Sequence, residues 1–146
     1  MTLCTDYAHV LQGLRTVCAC GLMRIDPNAP LSFTSLRTAN VVRCEDVFHP
    51  LDSWSPTDWA CAMAGEVGEA CNLVKKLRRL TGPTMESGGA NTPDSTVDIV
   101  DQIGKELADT IIYADLLAAR LGIDLGQAVR DKFNIVSERV GSAIKL

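Results

Sequence analysis

Ser55-Pro56-Thr57-Asp58-Trp59 opens, and Ala64-Gly65-Glu66-Val67-Gly68-Glu69-Ala70-Cys71-Asn72-Leu73-Val74-Lys75-Lys76-Leu77 continues, the stretch whose reading decides the fold. Ser55 is a residue that caps helices, Pro56 suits a first helical turn, and Asp58 supplies the acid that completes a reciprocal cap. Trp59, Met63, Val67, Ala70, Val74 and Leu77 then recur at spacings of three and four, which predicts one buried helical stripe. Glu66, Glu69, Leu73 and Lys76 fall on the neighbouring stripe, at the edge of the core. Gly82-Pro83 predicts the end of this helix near Leu80.

A second helix is predicted from about Thr96 to Leu121, ended by Gly122. Gln102, Glu106, Asp109, Tyr113 and Leu116 share one of its faces; Ile99, Ile103, Leu107, Thr110, Ala114 and Leu117 are assigned to the packed one. Asp124-Leu125-Gly126-Gln127 reads as a capping box that opens a last helix, through Val129, Phe133, Val136 and Val140 to Gly141. Upstream, Ser32 to Val47 has helical spacing with Ser32 as cap. Tyr7 to Met23 is compatible with another helix, separated from it by the breaker Asp26-Pro27-Asn28-Ala29-Pro30. No alternating strand pattern and no internal repeat appear. The fold class is therefore all-α, a bundle of four to five helices in one domain over 1–146. Residues 1–30 form an N-terminal extension, and 81–95, rich in turn residues, a long flexible surface loop.

The chain has 146 residues, enough for one core, with 47% hydrophobic and 22% charged residues, which is ordinary for a globular domain. A net charge of -4 argues against a nucleic-acid surface. The apolar run from Thr110 to Leu121 is broken by Asp115 and Arg120, so no membrane span is expected. No secretory signal is read at the start, so a cytoplasmic location is expected. The six cysteines (Cys4, Cys18, Cys20, Cys44, Cys61, Cys71) are then expected to stay thiols.

The chemistry sits in two acidic pairs, Glu66-Val67-Gly68-Glu69 and Glu106-Leu107-Ala108-Asp109. Residues at i and i+3 lie one above the other on a helix, so each pair aims at one patch of space. If the helices face each other, four carboxylates converge; at about 6 Å and an effective dielectric of 20, each like pair repels by about 3 kcal/mol. A divalent cation resolves that repulsion, and hard oxygen ligands suit magnesium or manganese. The neighbours of both pairs are apolar, and carboxylates in such company need partners. Gly65 and Gly68 each cost a helix about 1 kcal/mol against alanine, which suggests a close approach to the backbone. A ferritin-like di-iron site is disfavoured, because it needs Glu-x-x-His on two helices and neither His9 nor His49 has that spacing. Two facing ligand pairs holding two or three ions are suited to metal-assisted attack on phosphorus.

The E-x-x-E, spacer, E-x-x-D pattern of Glu66, Glu69, Glu106 and Asp109 resembles the all-α nucleoside triphosphate pyrophosphohydrolases, the MazG-like superfamily that also holds dimeric dUTPases and dCTP pyrophosphatases. The strings Ala64 to Leu77, Glu106 to Leu116, Lys132-Phe133-Asn134-Ile135-Val136-Ser137 and Leu36 to Arg43 are similar to phage and bacterial MazG-like proteins. The likeness spans roughly 31–146. It implies hydrolysis of a (deoxy)nucleoside triphosphate to the monophosphate and pyrophosphate. It also implies magnesium or manganese on the four acids, and a homodimer or homotetramer in which two chains complete each pocket. A phage-like branch acts on dGTP and GTP, so guanine nucleotides are the expected substrate, with the host cytoplasm as the location if the chain is phage-encoded. Substrates dCTP, dUTP or a broad range, a nucleoside diphosphate hydrolase, and a non-catalytic nucleotide-binding dimerisation protein are the alternatives.

Within this reading Glu66, Glu69, Glu106 and Asp109 are metal ligands, and either Glu66 or Glu69 orients the attacking water as base. Lys75 and Lys76 follow the first pair by about two turns and can reach phosphate oxygens, although a solvated helix end would carry the same residues. The resemblance places phosphate or sugar contacts at Lys132 and Asn134. Tyr113, one turn past Asp109, is placed to pack on sugar or base, and equally in a core. His49 and Trp54 offer flat rings for stacking on a base, or a hydrophobic staple for the helix start. Asn40, on one face with Arg37 and Arg43, completes the candidate substrate contacts.

Overall fold

A computed structural model describes residues 30–81 and 96–146. The N-terminal extension, except residue 30, and the 82–95 segment of the expected loop lie outside the described residues. Four helices make up the described chain: α1 (Phe33–Val47), α2 (Pro56–Thr81), α3 (Thr96–Arg120) and α4 (Leu125–Arg139), with no strand among the described residues. The fold is all-α.

The caps behave as the sequence suggests. The Ser55 amide donates to Asp58 Oδ2 at 2.9 Å while the Asp58 amide donates back to Ser55 Oγ at 3.3 Å, a reciprocal cap at the start of α2. Ser32 and Ser35 form the equivalent box for α1. At α4 the box is half built: Asp124 accepts from the Gln127 amide at 2.9 Å, but the Gln127 side chain turns forward to Asp131 at 2.7 Å. α3 ends at Gly122, whose φ of +68 lets the amides of Gly122 and Ile123 reach the carbonyls of Ala119 and Ala118. Gly141, at φ +71, closes α4 the same way with Ser142.

α2 and α3 form the principal contact, α1 packs on α3, and α4 on α1. The central pair is antiparallel. Trp59 faces Tyr113, with ring centroids 6.3 Å apart, and Glu66, seven residues on, is hydrogen-bonded to Glu106, seven residues back. Trp59 is fully buried with Cys44 and Leu116, under Leu51, Trp54, Ile112, Tyr113 and Leu117. Its indole N–H donates to the Leu51 carbonyl at 3.2 Å, so the largest ring of the core leaves no polar atom unpaired.

The facing of the two long helices differs from expectation. On α2, Trp59 and Ala70 are buried, but Val67 and Val74, assigned to the same stripe, are 44% and 50% exposed. On α3, Ile99 of the assigned packed face is fully buried and so is Leu116 of the acidic face, whereas Leu107 of the packed face is 53% exposed. Both helices are turned so that the stripes carrying Glu66 and Glu106 meet each other. The reason is that each helix has apolar residues on two adjacent stripes, and one partner helix can cover only one of them. Val67, Val74, Val97, Val100, Leu107 and Ile111 are left on the outside.

A candidate metal centre between α2 and α3

Two turns beyond Trp59 the helix–helix seam changes from aromatic to acidic. Oxygens of Glu66, Glu69 and Glu106 lie within 4.8 Å of one another. Glu66 and Glu106 are half-buried in the seam, and Glu69 is exposed at its rim. Asp109, expected as the fourth member, is outside this trio but close enough for its charge to act on Glu66. Among the described residues none of these acids makes an ion pair.

Burial pushes the Glu66 carboxyl above the ordinary range, aided by the hydrogen bond shared with Glu106 and then by the charges of Glu69, Asp109 and Glu106. The donor set is all carboxylate oxygen, with no ion pair to it among the described residues, and so fits a hard divalent cation. Folding raises this pKa, so the stability Glu66 contributes is present at low pH and is lost as the pH rises through the raised value. A cation has the opposite preference, since it must displace the proton. The affinity for Mn2+, measured by calorimetry, should therefore fall as the pH is lowered from about 8 to about 5, with the fall beginning above the usual glutamate range. A flat affinity across that interval would contradict the assignment of Glu66 as a ligand.

Tyr113 stands one turn from Asp109, half-buried. Burial raises its phenol pKa, the charges of Glu66 and Asp109 raise it further, and Arg43 opposes them. From Tyr113 a row of rings leads outward. Trp59 lies 4.6 Å from Trp54, Trp54 stacks on His49 at 4.7 Å and 30°, and Phe48 meets His49 edge-on at 4.6 Å. His49 and Trp54 are thus on one another and on the core, and the carbonyl of Trp54 is further held by Arg120 Nε at 3.2 Å.

No family model, curated protein or solved structure matches this chain. The geometry therefore carries the functional reading.

The remaining sequence candidates divide. Lys75 and Lys76 are exposed on α2 past Glu69, with Lys75 Nζ donating to Asn72 Oδ1 at 3.2 Å. Lys132 is exposed on α4, lining an apolar groove with Leu125, Ala128, Val129, Phe133 and Val136. Asn134 is engaged by the chain end: its Nδ2 donates to the Leu146 carbonyl at 3.3 Å and its Oδ1 accepts from the Leu146 amide at 3.0 Å. Neither Lys132 nor Asn134 touches the acidic trio in the described chain. Asn40 is buried, with Nδ2 donating to Asp115 Oδ2 at 3.1 Å and to the Ile112 carbonyl at 3.2 Å, so its amide nitrogen is spent on structure. Gly65 and Gly68 have open space where a Cβ would stand, so the close approach expected there does not come from the described chain.

Asp115 is the residue that sequence reasoning missed. It is 1% exposed, and its two oxygens tie α1 to α3 through Arg37 Nε at 2.9 Å and Asn40. The signal was present: an aspartate in the middle of an apolar helical run must find a cation, and Arg37 and Asn40, three apart on α1, share a face.

Proposed function

We propose that this chain is a divalent-cation-dependent nucleoside triphosphate pyrophosphohydrolase that converts a (deoxy)nucleoside triphosphate, with dGTP or GTP as the first choice, to the monophosphate and pyrophosphate. The observation that carries the reading is the meeting of Glu66, Glu69 and Glu106 within 4.8 Å at the seam of two antiparallel helices. The likeness of the strings around both acidic pairs to MazG-like proteins directs that centre to phosphate chemistry.

Glu66 and Glu106 hold magnesium or manganese from within the seam, with Glu69 at the rim and Asp109 one turn along α3. Two or three bound ions would neutralise phosphate charge and make a water nucleophilic near neutral pH. Glu66 or Glu69 orients that water and takes its proton. Lys75 and Lys76 meet the phosphate tail, and the Tyr113 and Trp54–His49 rings give the sugar and base an apolar edge. The free thiols of Cys44, Cys61 and Cys71 suit a reducing cytoplasm.

A second copy of the chain completes the pocket, as a dimer or a pair of dimers. The support is a face beside the acids that no described element covers, where Val67, Val74, Leu107 and Ile111 are all more than 40% exposed and Gly65, Gly68 and Gly104 have open space above them. It also gives Lys132 and Asn134 of a neighbouring chain a route to the site.

The test is a panel of the common nucleoside and deoxynucleoside triphosphates with magnesium or manganese, read by pyrophosphate release. Release of pyrophosphate, fastest from guanine nucleotides and abolished by chelation, is expected. Orthophosphate as the first product, or no product from any triphosphate, would refute the reading.

A further inference from the structure

Arg43 is an exposed residue on the last turns of α1, and its side chain is steered by a buried relay. Asp115, 1% exposed, accepts from Asn40 Nδ2 at 3.1 Å, and the same nitrogen donates to the carbonyl of Ile112 at 3.2 Å. With its nitrogen so fixed, Asn40 can present only its Oδ1 outward, and a terminal nitrogen of Arg43 donates to that oxygen at 3.1 Å. The guanidinium is thereby held beside Asn40, whose own amide reaches the Ile112 carbonyl of α3, three residues after Asp109.

Arg37, the other arginine of this face, is consumed by Asp115 and the Ile123 carbonyl at 2.9 and 3.1 Å. Arg43 is not. Among the described residues it pairs with no carboxylate and makes one side-chain hydrogen bond, leaving most of its five N–H donors for a ligand. Its charge acts on the Tyr113 hydroxyl, as do the charges of Glu66 and Asp109. A polyphosphate entering a site built of carboxylates needs cations on its free side, and the planar fork of arginine matches two phosphate oxygens.

We infer that Arg43, oriented by Asn40 and Asp115, binds the phosphate tail of the nucleotide held at the Glu66–Glu69–Glu106 centre, opposite the metal side. This rests on the triphosphate reading above.

The experiment compares wild type with Arg43→Gln and Arg43→Lys in steady-state pyrophosphate release, and in calorimetric titration with inorganic tripolyphosphate and with Mn2+. Arg43→Gln is expected to raise KM for the triphosphate by about 10- to 100-fold and to weaken tripolyphosphate by a similar factor, with Mn2+ affinity and melting temperature kept. Arg43→Lys should recover part of the loss, since it keeps the charge without the fork. An unchanged KM in Arg43→Gln overturns the inference and leaves the triphosphate reading standing. So does a loss for nucleotide with none for tripolyphosphate, which would move the contact to sugar or base, and so does a parallel loss of Mn2+ affinity or of folding, which would make Arg43 a strut. A wild type that releases no pyrophosphate overturns both together.

Discussion

On the triphosphate reading, Glu66→Gln and Glu106→Gln are each expected to lower pyrophosphate release by about 100-fold or more and to remove measurable Mn2+ binding, while the metal-free protein melts no lower than wild type. The two effects have one cause. In the absence of a cation, the seam holds Glu66 against Glu106 by a shared hydrogen bond, with the charges of Glu69 and Asp109 nearby, and burial already disfavours ionisation of Glu66. An amide in place of either carboxyl relieves that repulsion but offers a weak, neutral ligand. Loss of activity with unchanged or higher melting temperature is therefore the signature of a metal site, because a structural carboxylate would show the reverse. Glu69→Gln and Asp109→Asn should also silence turnover, as rim and outer ligands of the same cations. If Glu66→Gln and Glu106→Gln both keep wild-type activity, the acids are not a metal centre.

Asp115→Ala is expected to lower the free energy of unfolding by about 3–5 kcal/mol, the usual cost of removing one partner from a buried ion pair. Asp115 is 1% exposed and Arg37 16% by side chain, so the deletion strands both the guanidinium and the Asn40 amide in a site with little water. Marginal stability makes this a large fraction of the total. The paired change Arg37→Leu with Asp115→Leu should recover much of the loss, since an apolar pair removes the desolvation penalty along with the attraction. Chemical denaturation of the three variants gives the comparison. A cost under about 1 kcal/mol for Asp115→Ala would reduce the α1–α3 tie to the level of a surface pair.

The helices were legible because their signals are local. Ser32, Ser55 and Asp124 cap, Gly122 and Gly141 stop, and the spacing between them fills with residues at three and four. Proximity of the acids was legible too, because i and i+3 spacing fixes each pair, and only one further fact, that the two helices face each other, was needed. The rotation of the helices was not. Val67 and Leu107 look as good for a core as Ala70 and Leu116, and only the way α2 and α3 are turned toward each other separates them. Asn40 shows the same limit. Its spacing from Arg37 and Arg43 set it on their face, but whether that face meets solvent or Asp115 depends on where α3 lies.

What the sequence determined alone is therefore the set of objects: four helices, three of them with legible caps, all-α, two of them carrying paired carboxylates. These follow from interactions within about four residues, which do not depend on the rest of the chain. What only the tertiary structure decided is which stripes are buried, that three of the four acids form the tight group, and that Asp115 commits Asn40 and thereby aims Arg43. These outcomes depend on contacts 40 or more residues apart in the chain, such as Glu66 with Glu106 and Arg37 with Asp115, where the choice between equally apolar faces is made by packing shape and by the need to pair a buried charge.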